Sequence, residues 1–165
     1  MAYIDALTYA NHYAQVPVCF ERLASVASRI MDNETTGVDG FKKLKAAYPV
    51  DPDDDEAIKL CAAALVTFLD QVERVHNMTL EAGEYTKRAD GSLVSRVVSS
   101  VSSGSESISF ATQGAGAASS SVLAAAANDD ERKRMCRNIA REYLAGICDA
   151  NGVHLLYMGV YPYVL

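Results

Sequence analysis

Apolar positions along the chain fall into helical stripes that end in one aperiodic block. Phe20, Leu23, Ala24, Ala27, Ile30 and Met31 recur at three- and four-residue steps, the mark of a helix with one apolar face. Pro17 suits the first turn of that helix, where its missing N–H has no partner to lose. Asn33 to Gly37 closes it as a polar turn. The longest stripe is Ile58, Cys61, Ala62, Leu65, Leu69, Val72 and Val75 or His76. It predicts a helix from Asp53 to Asn77, and Ala62-Ala63-Ala64 gives that helix high propensity and a thin surface for close approach. The third stripe, Cys136, Ile139, Ala140, Tyr143 and Ile147, predicts a helix from Asp129 to Cys148. Asn128 with Glu131 resembles a capping box at its start, and Asn151-Gly152 closes it. Shorter helices are predicted over Tyr9 to Ala14, capped by Thr8, and over Asp39 to Ala47, with Val38, Phe41 and Leu44 on one side and Pro49 as the stop. The apolar faces of the three longer helices are expected to meet in one core.

Between Leu93 and Ser121 the pattern changes to Ser, Val, Gly and Ala. Val97, Val98 and Val101 lead into Ser103-Gly104-Ser105, and Ser107, Ile108, Ser109 and Phe110 alternate polar and apolar. This reads as two short extended segments turning near Gly104. Gln113 to Ser121, with Gly114 and Gly116, is low in complexity and reads as a mobile loop. The expected fold class is therefore mainly α, a small bundle of four to five helices with a short β-hairpin or extended loop insertion. One domain is expected over residues 1–165, with the insertion at 93–121 and an apolar C-terminal tail at 153–165.

The chain has 165 residues, half of them hydrophobic, with no Trp and 8% aromatics, so the core must rest largely on Ala, Leu, Val and Ile. A formal net charge of −6 argues against a global electrostatic grip on nucleic acid. No apolar run is long enough to span a membrane, and Met1-Ala2-Tyr3-Ile4-Asp5 has neither the basic nor the apolar region of a signal peptide. Cys19, Cys61, Cys136 and Cys148 lie at long, irregular spacings beside apolar residues and are expected to be buried, reduced thiols. No Cys-x-x-Cys or His-x-x-x-His pair joins them to His12, His76 or His154 as a zinc site. His12 and His76 are expected near apolar helical faces.

Catalytic chemistry finds little footing. Gly114-Ala115-Gly116-Ala117-Ala118 lacks the strand, helix and acidic residue of a dinucleotide fingerprint, and neither a phosphate loop nor a nucleophile elbow occurs. No catalytic, cofactor-binding or metal-ligating residue is assigned. Asp53-Asp54-Asp55-Glu56 complements a helix dipole, and Glu56 stands where a calcium loop needs Gly. Arg132, Lys133, Arg134, Arg137 and Arg141 form the one concentrated basic stretch. Beyond a solvated helix face, it could meet an acidic neighbour; Asp53, Asp54 and Asp55 of another copy would supply the complement, with Arg132, Arg134, Arg137 and Arg141 as the cationic side. The tail is too apolar to fray. Leu155, Leu156, Tyr157, Val160 and Tyr161 are expected to dock on a second protein, the alternative being packing on their own domain.

Four stretches carry a family resemblance. They are Thr8-Tyr9 with Tyr13, followed by Phe20, Leu23 and Ala27-Ser28-Arg29-Ile30-Met31-Asp32; Lys59 with Cys61-Ala62 and Ala64; Val101 to Phe110; and Leu155-Leu156-Tyr157-Met158-Gly159-Val160 after an Arg-containing helix. In this order the chain resembles the head–tail connector proteins of long-tailed phages and prophages, also called adaptor or head-completion proteins. Met158 stands where such proteins often carry a basic residue, and the Gly-rich insert is longer than theirs. The resemblance implies a non-enzymatic structural subunit at the head–tail interface of the virion, present in the host cytoplasm during assembly. It implies a ring, commonly of twelve copies, that prolongs the DNA channel beneath the portal. The partners would be other copies of the chain, the portal protein and a tail-side stopper or tail-completion protein. DNA would pass without specific binding; no cofactor and no membrane are involved. An acidic subunit fits a channel through which phosphate must slide. The alternative is a small helical enzyme or ligand-binding domain, with its site near His76 or the Gly114 loop.

Overall fold

The computed structural model describes residues 2–13, 15–81, 85–87, 93–95, 97–102, 107–111 and 121–162. It is mainly helical. Within the span expected to form one domain, the chain clusters into two compact units, Met1–Asp70 with Cys136–Leu165, and Gln71–Met135.

The first unit opens with helix α1, Ala6–His12. Its cap is Asp5, whose Oδ1 accepts the Thr8 backbone N–H at 2.8 Å, so Thr8 lies inside the helix rather than capping it. A carboxylate accepts two donors at once, and the Thr8 hydroxyl donates to the other oxygen at 3.2 Å. Pro17 is buried just before helix α2, Phe20–Glu34, and its carbonyl accepts the Phe20 N–H at 3.1 Å. The α2 stripe is buried as the spacing predicts at Phe20, Leu23, Ala24, Ala27 and Met31, and Ser28 joins it. That hydroxyl satisfies itself by donating to the Ala24 carbonyl at 2.8 Å while accepting the Tyr3 N–H at 3.0 Å.

Helix α3 is one turn, Lys43–Ala46, shorter than the pattern predicts. The stretch before it is instead a loop in which the Asp39 carboxylate accepts the Phe41 N–H at 3.1 Å and Gly40 takes φ +78°. Leu44 is buried, but Val38 is exposed and does not share its side. Helix α4, Pro52–Glu81, buries Ile58, Cys61, Ala62, Ala63, Leu65, Val66, Phe68 and Leu69 within the first unit. The Tyr9 hydroxyl meets the Thr67 hydroxyl at 2.8 Å, and its ring packs edge-on against Phe20 at 5.3 Å, tying α1 to α4 and α2.

Helix α6, Asp129–Leu144, begins in the second unit and buries Cys136, Ala140 and Leu144 in the first. Asn128 caps it through Asp130 N–H at 2.8 Å, but Glu131 pairs with Arg134 instead of reaching back to close a box. The helix stops four residues before its expected end, because Gly146 at φ +85° turns the chain away. Tyr143, expected on the inner face, is partly exposed, and Leu144 takes the buried position.

The second unit holds the end of α4, the start of α6, and helix α5, Ser121–Ala127. It also contains two antiparallel ladders. Strands β1, Tyr85–Lys87, and β2, Leu93–Ser95, form one; β3, Val97–Ser102, and β4, Ser107–Ala111, form the other, from Val97↔Ala111 to Ser102↔Ser107. Gly104, Gly114 and Gly116, expected to be mobile, lie outside the described residues. His12 and His76, expected near apolar helical faces, are both exposed, and His12 Nε2 lies 3.2 Å from a Glu56 carboxylate oxygen. Among the described residues no helix is long and apolar enough to cross a membrane.

Candidate functional site

The C-terminal segment of the first unit is held by a network of polar side chains. After Gly146 it folds back as a tight turn, with Leu155 N–H donating to the Ile147 carbonyl at 2.9 Å and Asp149 N–H to Val153 at 2.8 Å. Gly152 at φ +76° makes the reversal. Asp149 holds the turn from inside: its Oδ1 accepts Asn151 and Val153 N–H, each at 2.9 Å, and its Oδ2 accepts the Tyr161 hydroxyl at 2.5 Å.

Lys43 is the latch. Its side chain is buried, and Nζ donates to the His154 carbonyl at 3.2 Å and to the Tyr157 carbonyl, 5.7 Å from the centroid of the Tyr157 ring. Burial pulls this ammonium below its ordinary pKa, and the Asp149 and Asp39 carboxylates oppose the shift. Asp39 works from the other side, accepting Tyr161 N–H at 3.0 Å; that backbone bond, with the one from Phe41, holds its carboxyl below the usual range. The Tyr161 ring packs on Phe41 at 4.1 Å. Gly37 and Gly159 approach so closely that a Cβ on Gly37 would stand 2.9 Å from the Gly159 carbonyl oxygen.

These contacts divide the expected docking residues. Leu155 and Tyr161 are buried inside the first unit and are unavailable to a partner, a correction to the reading of the tail as one exposed row. They are buried because the turn at Gly152 sends the chain back over Lys43 instead of outward. Leu156 is half-buried. Tyr157 and Val160 do face solvent, and so does Met158. Val38, 73% exposed, lies beside them, its N–H donating to the Met158 carbonyl at 3.4 Å. The outcome is an exposed apolar edge on a fixed backbone.

The expected pairing of arginines with another copy's acids meets prior partners at every arginine. Arg132 pairs with Asp129 at 2.6 Å, Arg134 with Glu131, and Arg137 and Arg141 both with Glu34 at 3.0 and 3.3 Å. Asp55 is engaged by Lys59 at 2.6 Å and by the Tyr48 hydroxyl at 2.7 Å. Asp53 and Asp54 lie on the first turn of α4, where they suit the dipole. Exposed pairs of this kind are screened by solvent and contribute little to stability. The thiols also divide: Cys61 and Cys136 are buried as expected, but Cys19 is exposed and Cys148 half-buried, its Sγ 3.5 Å from His154 Nδ1. Burial pushes the Cys61 thiol up to about 12. Among the described residues no group of three or more His, Cys, Asp or Glu could hold a metal ion.

A concave feature opens elsewhere in the first unit. It is a cleft of about 480 Å³ lined by Ala2, Tyr3, Asp32, Leu44, Lys45, Tyr48 and Asp55. Sequence reasoning missed it, along with Lys43, Asp39 and Asp149. Only Asp149 carried a local signal, since Asp149-x-Asn151-Gly152 is the composition of a side-chain-capped turn.

Comparison of the chain with protein-family models, with curated proteins and with solved structures finds no match.

Proposed function

We propose that this chain is a structural subunit of the head–tail connector type, one that assembles with copies of itself and docks on a portal ring. The observation that carries the reading is the apolar edge of Val38, Tyr157, Met158 and Val160, left in solvent on a backbone fixed by Lys43, Asp39 and Asp149. A backbone already fixed spares the loop-ordering cost of binding and leaves only the side chains to be immobilised. The edge falls on the Leu155-to-Val160 stretch through which the chain resembles connector proteins. In this reading Tyr157, Met158 and Val160 make the contact, while Leu155 and Tyr161 anchor the segment that carries them. The net charge of −6 suits a subunit lining a DNA channel. The reading requires a mainly helical scaffold and no catalytic step; the Ser/Val segment from Val97 to Ala111 would be its insertion toward the channel or a neighbouring subunit.

Negative-stain microscopy of the purified chain mixed with portal rings from a long-tailed phage tests this directly. The expected result is an added ring of density coaxial with the portal. Portals that remain bare at saturating concentrations of the chain would overturn it. Of the places expected for the alternative ligand-binding reading, His76 is exposed and Gly114 lies outside the described residues. The cleft beside Tyr3 is the observation that favours a ligand.

A further inference from the structure

We propose that the cleft lined by Tyr3, Asp32, Lys45, Tyr48 and Asp55 binds an organic cation, an alkylammonium or guanidinium group. The inference stands apart from the connector reading and rests on four features of the first unit.

The first is shape: about 480 Å³ lies within the range of small-ligand sites, and Ala2 and Leu44 add apolar wall to the polar groups. The second is the pair of tyrosine rings, stacked at 6.0 Å between centroids and inclined by 24°. Aromatic faces attract cations through their quadrupole. The third is what the phenols do. Tyr3 donates to Asp32 Oδ1 at 2.5 Å and Tyr48 to Asp55 Oδ1 at 2.7 Å. A phenol that donates to an anion carries more electron density in its ring, which strengthens the attraction of the face for positive charge. Both phenols are held well above their ordinary pKa, by burial first and then by these carboxylates, so they remain donors.

The fourth feature is charge balance. Asp55 already has its cation in Lys59 at 2.6 Å. The Asp32 carboxylate accepts from Tyr3 alone and makes no ion pair among the described residues. Among the described residues the site therefore presents one carboxylate without an ion pair, beside two electron-rich rings. Among the described lining residues Lys45 is the one basic side chain; it is exposed and would repel a cationic guest. Its removal thus separates a cation site from an anion or zwitterion site by the sign of the effect.

The test is a titration of the full chain, followed by NMR shifts of the Tyr3 and Tyr48 ring protons. Three probes are used: tetramethylammonium, N-acetyl-arginine methylamide, and propionate as the anionic control. Saturable shifts with at least one cation, with Kd on the order of 1 mM, are expected, and none with propionate. Asp32→Asn should weaken binding about tenfold, and Lys45→Ala should tighten it severalfold. If the arginine derivative binds about tenfold better than tetramethylammonium, the natural guest is a side chain that hydrogen-bonds Asp32, and the cation assignment stands. If tetramethylammonium binds as well or better, the guest is a free quaternary amine held by the rings, and the assignment also stands. Linear shifts with both cations, an equal response to propionate, or weaker cation binding in Lys45→Ala would each overturn it. Lys45→Ala changes an exposed residue and leaves the core intact, so its result does not depend on how Asp32→Asn folds.

Discussion

Two parts of the first unit exclude water by different means. Along α2, α4 and α6, burial follows the helical period, and the contacts are between apolar side chains. In the C-terminal segment, Leu155 and Tyr161 are buried as the helix faces are, but the chain reaches that position through charged and polar groups: Lys43 on two carbonyls, Asp149 on a turn, Asp39 on the Tyr161 backbone. The helix faces tolerate exchange of one apolar residue for another of similar volume. The latch does not, because each of its groups leaves a part-buried polar partner unpaired when it is removed. The same segment therefore combines an interior that is sensitive to single polar changes with an outer edge, at Met158 and Val160, that the fold leaves in solvent.

The largest effects should come from the apolar positions common to both parts. Leu65→Ala and Leu155→Ala each remove a fully buried side chain and should cost about 2–5 kcal/mol in denaturant unfolding. A cost below about 0.5 kcal/mol at Leu155 would return the segment to solvent and erase the contrast. Next come the polar groups of the latch. Tyr161→Phe keeps the ring on Phe41 but leaves Asp149 Oδ2 and Asn151 Nδ2 without the hydroxyl, and should cost about 1–3 kcal/mol. Lys43→Met should cost a similar amount without speeding amide exchange in the helix core. Equal loss of amide protection in α2 and in residues 147–162 would show that the latch is not a separate unit of stability.

Acid should act on the same contrast. Asp39 is held below the ordinary carboxylate range by the Tyr161 and Phe41 N–H groups, and Asp55 by Lys59 and the Tyr48 hydroxyl. A folded-state pKa below the unfolded one means that these groups stabilise the fold above the unfolded value and cease to do so as pH falls through the folded one. Unfolding stability should thus decline from about pH 4 downward, and Asp39→Asn should flatten part of that decline. A profile identical in the variant would show that Asp39 carries none of it. The smallest energetic effect, and the simplest to read, is thiol labelling. Cys19 and Cys148 should react in the native chain, whereas Cys61 and Cys136 should react only on unfolding.

Periodicity explains why the helices were legible. Each of the stripes through Leu23, Leu65 and Ala140 is set by neighbours three and four residues away, and local spacing is what a sequence displays. The ends were less so: α6 stops at Leu144 because Gly146 takes a left-handed turn, and the pattern alone runs on to Ile147. The latch was illegible for a different reason. Lys43 meets His154 and Tyr157 across more than a hundred residues, and a lysine in a short amphipathic run reads as exposed. The tail's composition announced that it must be covered or cover something, but only the turn at Gly152 divides Leu155 and Tyr161 from Tyr157 and Val160. The cleft joins Tyr3, Asp32, Tyr48 and Asp55 from four places in the chain and had no motif at all.

The proposed division of the C-terminal segment, a buried side that folds the subunit and an exposed side that docks it, can be tested with two variants. They are Leu155→Ala, and the combined Val38→Ser, Met158→Ser and Val160→Ser, each measured for thermal unfolding and for co-sedimentation with portal rings. The combined variant should melt within a few degrees of the parent and lose portal association, while Leu155→Ala should melt far lower. Retained association in the combined variant, with its melting temperature unchanged, would contradict the division, because the exposed edge would then serve neither folding nor docking.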